Sequence, residues 1–226
     1  MAGFAQELPQ ELKGVAASKF CKPVEGTGSA DGRLAIAVGF KSPEPVDWAK
    51  YKTELGYDID PDNALLGNFL IDVRKDRALA LLEGKHFGTR KTYNHESCGV
   101  AWSDKGNYLV EMQSWKWHTA HATLHHLAAD GTVTSRLDLL KLAKGELSKV
   151  LQGKHKIDPA KINAGYASSL SEPEVDDEGH VALHATAEVP KSETDPSVSI
   201  LIKFTARPDA KGVLQAEALE VKEAGE

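Results

Sequence analysis

The chain has 226 residues, with 27 Lys and Arg against 33 Asp and Glu, a formal charge of −6 at pH 7. That acidic balance argues against nucleic acid or an anionic membrane surface as the main partner. Counting Gly in place of Tyr moves the apolar share from 41% to about 47%, a globular composition that excludes disordered and collagen-like chains. No run approaches the roughly 18 apolar residues of a membrane span.

At the start, Gly3-Phe4-Ala5 places small residues at the −3 and −1 positions of a signal-peptidase site ahead of Gln6. This motif predicts a processed start and a periplasmic or secreted location; an ordinary cytoplasmic N-terminus is the alternative. Cys21 and Cys98 bear on the same question. In an oxidising compartment they would close a loop of roughly 78 residues, worth about 4 kcal/mol in the chain-entropy model. Two buried free thiols are the competing reading. No CxxC or metal-type cysteine spacing is present.

After the Gly-rich stretch 25–32, Arg33 to Phe40 reads as a strand. Asp47 can cap a short helix in which Trp48, Tyr51 and Leu55 share a face and Gly56 ends the run. Segments 68–73 and 78–83 flank the charged centre 74–77 as a β-hairpin. Residues 99–102 and 108–112 make a second hairpin around Ser103-Asp104-Lys105-Gly106-Asn107, a turn with Asp early and Gly late. A third strand covers 120–127, and Asp130-Gly131 turns it into 132–134.

Ser135 and Asp138 have capping-box spacing, and Leu139, Leu140, Ala143, Leu147, Val150 and Leu151 follow along one helical face, with Gly153 as the C′ residue. Asp158-Pro159 opens another short helix in the N-cap/N1 arrangement. Three strands then cover 180–189, 197–206 and 214–221. The alternation of the last one slips after Ala218, which predicts a bulge there.

The fold class expected is therefore α+β, mainly β with α insertions: antiparallel β-meanders, propeller-blade-like or sandwich-like, joined by a helical segment. A single domain over 1–226 is expected, subdivided into a β region 1–134, a helical connector 135–165 and a second meander 166–226.

Val100 to Val110 reads Val-Ala-Trp-Ser-Asp-Lys-Gly-Asn-Tyr-Leu-Val. Trp102, Ser103, Gly106, Tyr108 and Leu109 match the aromatic and turn positions of a propeller-blade hairpin. The stretch thus resembles a blade core of WD40-like β-propellers. Asp104, Lys105 and Asn107 depart from that pattern, and the resemblance implies a packed hairpin without any catalytic residue.

The densest chemical feature is Trp115-Lys116-Trp117-His118-Thr119-Ala120-His121-Ala122-Thr123-Leu124-His125-His126. Trp115, Trp117, His118, His121 and His125 are the candidate binding residues, with the two Trp offering rings to a sugar or a peptide. As a strand, Trp115, Trp117, Thr119, His121, Thr123 and His125 share one face and His118 and His126 the other. His121 and His125 are then roughly 13 Å apart along the chain, too far to share a metal. Only a helix would bring His118, His121 and His125 into one ligating stripe. His86 and His95, with Tyr93 and Asn94, could serve acid–base work, but nothing assembles a triad.

Asp58, Asp60 and Asp62 open like a calcium loop, but Asn63 and Phe69 stand where that loop needs Gly and Glu. Gly26, Gly28 and Asp31 fail the dinucleotide fingerprint, and the acidic run 172–178 reads as a solvated loop. No catalytic residue, metal or cofactor is assigned. The expectation is a noncatalytic binding or assembly module, exported or envelope-associated, for a small molecule, glycan or protein. The alternative is a metal-dependent hydrolase using the histidine-rich segment 86–126.

Overall fold

A computed structural model describes residues 7–54, 56–60, 63–85, 89–91 and 95–224. The processing-like start at Gly3, Phe4 and Ala5 lies outside them, as do Leu55, Asp62, His86, Tyr93 and Asn94.

Three four-stranded antiparallel meanders follow one another along the chain. The first joins β1 (Cys21–Pro23), β2 (Leu34–Phe40), β5 (Leu66–Asp72) and β6 (Arg77–Leu81) in the order β1-β2-β5-β6. A small ribbon of β3 (Lys52–Thr53) and β4 (Gly56–Tyr57) is inserted between β2 and β5. The second runs β10-β9-β8-β7, from β7 (Glu96–Trp102), β8 (Tyr108–Trp115), β9 (His118–Leu127) and β10 (Val133–Asp138). The third runs β11-β12-β13-β14, from β11 (Ala167–Val175), β12 (His180–Glu188), β13 (Val198–Pro208) and β14 (Leu214–Glu223). Four-residue α1 (Ala17–Phe20) precedes β1, while α2 (Leu139–Gly153) and α3 (Pro159–Gly165) join the second sheet to the third. The chain is mainly β with α insertions, as its patterning predicts.

The sheets are layered, and the second is the middle layer. Its Tyr108, Val110, Met112, Ala122 and Leu124 share a core with Val181, Leu183 and Ala185 of β12, Ile200, Ile202 and Phe204 of β13, and the α2 stripe Leu139, Ala143, Leu147 and Leu151. Its opposite face contributes Leu109 and Leu127 to a core with Leu34, Ile36, Leu70 and Ala80 of the first sheet. The far face of that sheet packs Ala35, Ala37, Phe69 and Ile71 under Leu12, Ala17 and Phe20. Covered on both sides, β2 is apolar without alternation and is buried from Leu34 to Gly39. The third sheet has one wet face, and β12 and β13 alternate accordingly.

The hairpin of β7 and β8 closes through its turn residues. Ser103 Oγ accepts from Tyr108 N at 3.0 Å and donates to Asn107 Oδ1 at 2.7 Å, while Gly106 has φ +70°. Trp102 Nε1 donates to Thr27 O at 3.0 Å and ties the hairpin to the first sheet.

Four local expectations change. The segment after Asp47 is a three-residue 3-10 turn, Trp48–Lys50, because the chain enters β3 at Lys52 before a helix can propagate. The main helix begins three residues later than the capping box suggests. Strand β10 continues to Asp138, which is the N-cap and accepts from Lys141 N at 2.8 Å. Ser135 is instead a strand residue whose Oγ accepts from Leu214 N at 2.6 Å, linking the middle and third sheets. Gly153 closes the helix itself, with Lys154 as C-cap. The acidic run at 172–175 is strand: Glu172 takes φ +51° at a register shift between Ser171 and Glu174, so β11 carries its charges on a bulged, exposed edge.

The bulge expected at Ala218 is present: φ there is +51°, and the register between β13 and β14 shifts between Lys203 and Thr205. Cys21 and Cys98 are free thiols, so of the two readings the bridge is the one that is not formed. Cys21 packs beside Phe20 under the first sheet, whereas Cys98 sits on β7 against the core between the first and middle sheets.

Candidate functional site: a buried carboxylate–imidazole layer and an aromatic hairpin tip

Strand β8 pairs with β9 so that Glu111 stands opposite Thr123, with Gln113 opposite His121 and Leu109 opposite His125. Glu111 is thus diagonal to both histidines, within reach of long side chains on the same face. Its Oε2 lies 3.1 Å from His125 Nε2 and 3.9 Å from His121 Nε2. The 13 Å along β9 is bridged by a carboxylate from the neighbouring strand. Both imidazoles thus face one carboxylate, while their own ligand atoms do not come within 4.8 Å of each other.

A bulge creates this arrangement. The β8–β9 register shifts between Gln113 and Ser114, so Ser114 pairs with Thr119 while Gln113 pairs with His121. Thr119 and His121 therefore point to opposite faces, against the simple alternation. Thr119 Oγ1 turns to the third sheet and accepts from Leu170 N at 2.8 Å. His118 stands exposed opposite Trp115 at the strand's open end. His126, half-buried, has its ring centroid 4.9 Å from that of Tyr108, and burial holds its pKa below the usual imidazole value.

The layer is polar and almost dry. Glu111 and His125 are each 2% exposed, and Gln113 and Thr123 are buried beside them. Gln113 Oε1 accepts from Lys85 N at 2.6 Å, and its Nε2 donates to Glu96 Oε1 at 2.6 Å, tying β7 to the loop after β6. Thr123 Oγ1 meets His121 Nε2 at 3.2 Å. Gly84 closes the top: a Cβ there would lie 2.4 Å from Glu111 Oε1 and 3.1 Å from His121 Cδ2, so only glycine lets the backbone come this near. His125 Nδ1 is buried with no hydrogen-bond partner among the described residues.

Cys98 shares this face, opposite Gln113. Burial, reinforced by the negative charges of Glu111 and Glu96, pushes its thiol up to about 12. Cys21 is also pushed up, by burial first and Asp76 second. Neither is a thiolate nucleophile at neutral pH.

A groove of about 690 Å³ runs between β10, α2 and the start of β14 and reaches this layer at Thr123. Arg136 and Glu83 meet at 2.6 Å on its rim, and Leu137, Leu142 and Leu214 line its apolar part.

The two tryptophans occupy the opposite end of β8. Trp115 and Trp117 are 38% and 48% exposed; Trp115 ends β8 and Trp117 lies in the tight turn that leads into β9. Lys116 Nζ lies 5.1 Å from the centroid of the Trp117 ring. The structure brings Trp115, Trp117 and His118 to one hairpin tip and His121 and His125 to the buried layer. His95 is half-buried just before β7. Asp58 and Asp60 are exposed in a turn after β4, and Asp60 is hydrogen-bonded or paired.

Sequence reasoning missed Glu111, Gln113, Thr123 and Gly84. Glu111 alternates with Tyr108, Val110 and Met112 as a solvent-facing residue would, but a middle layer has no solvent face. No protein-family model matches the chain, and no curated protein matches it either.

Proposed function

We propose that the protein is a noncatalytic binding module whose contact element is the tip of the β8–β9 hairpin, and that its partner is another protein. The observation that carries this reading is the pair Trp115 and Trp117, two of the six exposed large hydrophobic side chains among the described residues, set beside Lys116 at one hairpin tip. Tryptophan is the residue type most able to anchor a protein interface when it enters a partner's pocket. A flat sugar platform is disfavoured, because the Lys116 ammonium already stands over the Trp117 ring. The hydrolase alternative draws less support. Glu111 and His125 are buried too deeply to meet a substrate, and His95, in the turn before β7, and His118, at the start of β9, lie elsewhere. The four-stranded meanders, each packed face to face on the next, support the blade-like reading of the 100–110 hairpin, although three are fewer than the about four blades that close a propeller.

The test compares proteins co-purifying with the wild type and with Trp115→Ala/Trp117→Ala, each expressed in the source cells. A partner retained by the wild type, lost from the variant and bound directly when purified supports the reading. An unchanged partner set, with the variant folded, removes it. So does binding to a glycan array that is equal in both proteins.

A further inference from the structure

We propose that the open edge of β7 pairs with the same strand of a second copy of this chain, joining two middle sheets into one across a two-fold axis. The ladder shows which backbone groups are free to do so. Ser103 N donates to Tyr108 O at 3.1 Å where the β7–β8 hairpin closes, and Leu127 N donates to Asn107 O at 2.8 Å on the β9 side of β8. Bonding alternates along an antiparallel pair. Ser97, Gly99 and Ala101 therefore bond to β8, while Cys98, Val100 and Trp102 turn their N–H and C=O groups outward. These outward groups have no hydrogen-bond partner among the described residues.

The other outer edges of the three sheets are short, tied or bent. Strand β1 has three residues and ends in Pro23, β6 is bridged at Arg77 by Ala16, and β10 is tied to β14 through Ser135. Strands β11 and β14 are bulged, with φ +51° at both Glu172 and Ala218, and they carry charges. Strand β7 has seven residues, an unbroken register with β8, no Pro and no charge after Glu96. A straight, uncharged edge is a template for another strand. Its best match is itself. An antiparallel register centred on Gly99 sets Cys98 opposite the second copy's Val100 and Glu96 opposite the second copy's Trp102, so every outward group meets an outward group. The two glycines then face each other as a non-hydrogen-bonded pair, where Cα atoms approach to about 4.5 Å. The two Glu96 carboxylates fall at opposite ends of the ladder. Cys98, Val100 and Trp102, which pack on the core between the first and middle sheets, continue as one apolar row across the axis. No charged side chain between 97 and 102 selects a foreign strand over this one.

The experiment is analytical ultracentrifugation of the full-length protein over a concentration series, with Val100→Pro, Ser97→Lys and Trp117→Ala compared and each checked for fold by circular dichroism. The wild type should reach twice the chain mass at high concentration. Val100→Pro removes an outward N–H and leaves the β8 ladder intact. Its dimerisation constant should fall at least about tenfold, since each dimer loses two hydrogen bonds. Ser97 is exposed, so Ser97→Lys places a guarding charge on the edge and keeps the test alive if the proline variant fails to fold. Trp117→Ala should dimerise like the wild type. Hydrogen exchange at the amides of Cys98, Val100 and Trp102 should slow as concentration rises. A wild type that is monomeric at every concentration overturns the proposal. So does a dimer that persists in both β7 variants, or one that is lost in Trp117→Ala alone.

Discussion

Glu111 Oε2 and His125 Nε2 meet at 3.1 Å inside a sheet that is covered on both faces, with each residue 2% exposed. The two share one hydrogen bond, and His125 Nδ1 on the other side of the ring has no partner among the described residues. Removing one partner strands the other without water. Glu111→Ala should therefore destabilise the fold by about 3–5 kcal/mol. The paired replacement Glu111→Leu/His125→Leu should recover most of that loss, because neither member of the pair is left buried without the other. Urea unfolding of the three proteins checks this; a double variant no more stable than the single one would show that the pair is worth more than its satisfaction.

The middle and third sheets are also joined by the Tyr108 hydroxyl, which donates to Ala206 O at 3.3 Å. Losing this neutral, long bond in Tyr108→Phe should cost only about 1 kcal/mol. Gly179→Ala should cost more, at least about 2 kcal/mol. Its φ is +80°, and the new Cβ would lie 2.7 Å from Ala206 O and 2.9 Å from Tyr108 Oη. Thermal melts of the two variants should fall in that order.

Helix α2 offers changes of opposite sign. Asp138→Ala removes the side chain that caps Lys141 N and should cost about 1 kcal/mol. A Cβ at Gly145 would meet nothing within 4 Å, so Gly145→Ala should stabilise by up to about 1 kcal/mol through helix propensity. Chemical denaturation reads both, and equal destabilisation by the two would contradict the cap and the open space alike.

Both thiols should resist a disulfide-forming reagent at neutral pH and react together on unfolding. For Cys98, burial favours the neutral thiol and raises its pKa from 9.0 to about 12. The folded state thus holds a proton that the unfolded chain releases. The associated stability is complete below pH 9 and is lost as pH climbs toward 12. Stability curves of the wild type and Cys98→Ala between pH 8 and 11 should converge as the pH rises. A fast native reaction of either thiol at pH 7 would contradict its burial.

Much of the architecture is legible in local chemistry. The turn at 103–107 follows from a serine able to cap it and a glycine able to take φ +70°. The slip of alternation at Ala218 announces its bulge, and Asp158-Pro159 announces α3, in which Asp158 Oδ1 accepts from Ala160 N at 2.7 Å. Period and turn residues act over a few neighbours, so they survive translation into three dimensions.

The candidate sites depended on long-range contacts. Alternation in β8 separates Glu111 from Val110 and Met112, but whether Glu111 meets water or a second sheet depends on residues 34–82 packing over it. The bulge that turns His121 away from Thr119, the register that sets Glu111 between two histidines, and the backbone approach of Gly84 are likewise products of pairing and packing. Local sequence therefore determined the strands, the turns and the mainly β class, because those depend on neighbouring residues. Only the stacking of three sheets decided which polar side chains share a dry layer and which tryptophans stand free at a hairpin tip, because a face is buried by what comes to lie against it.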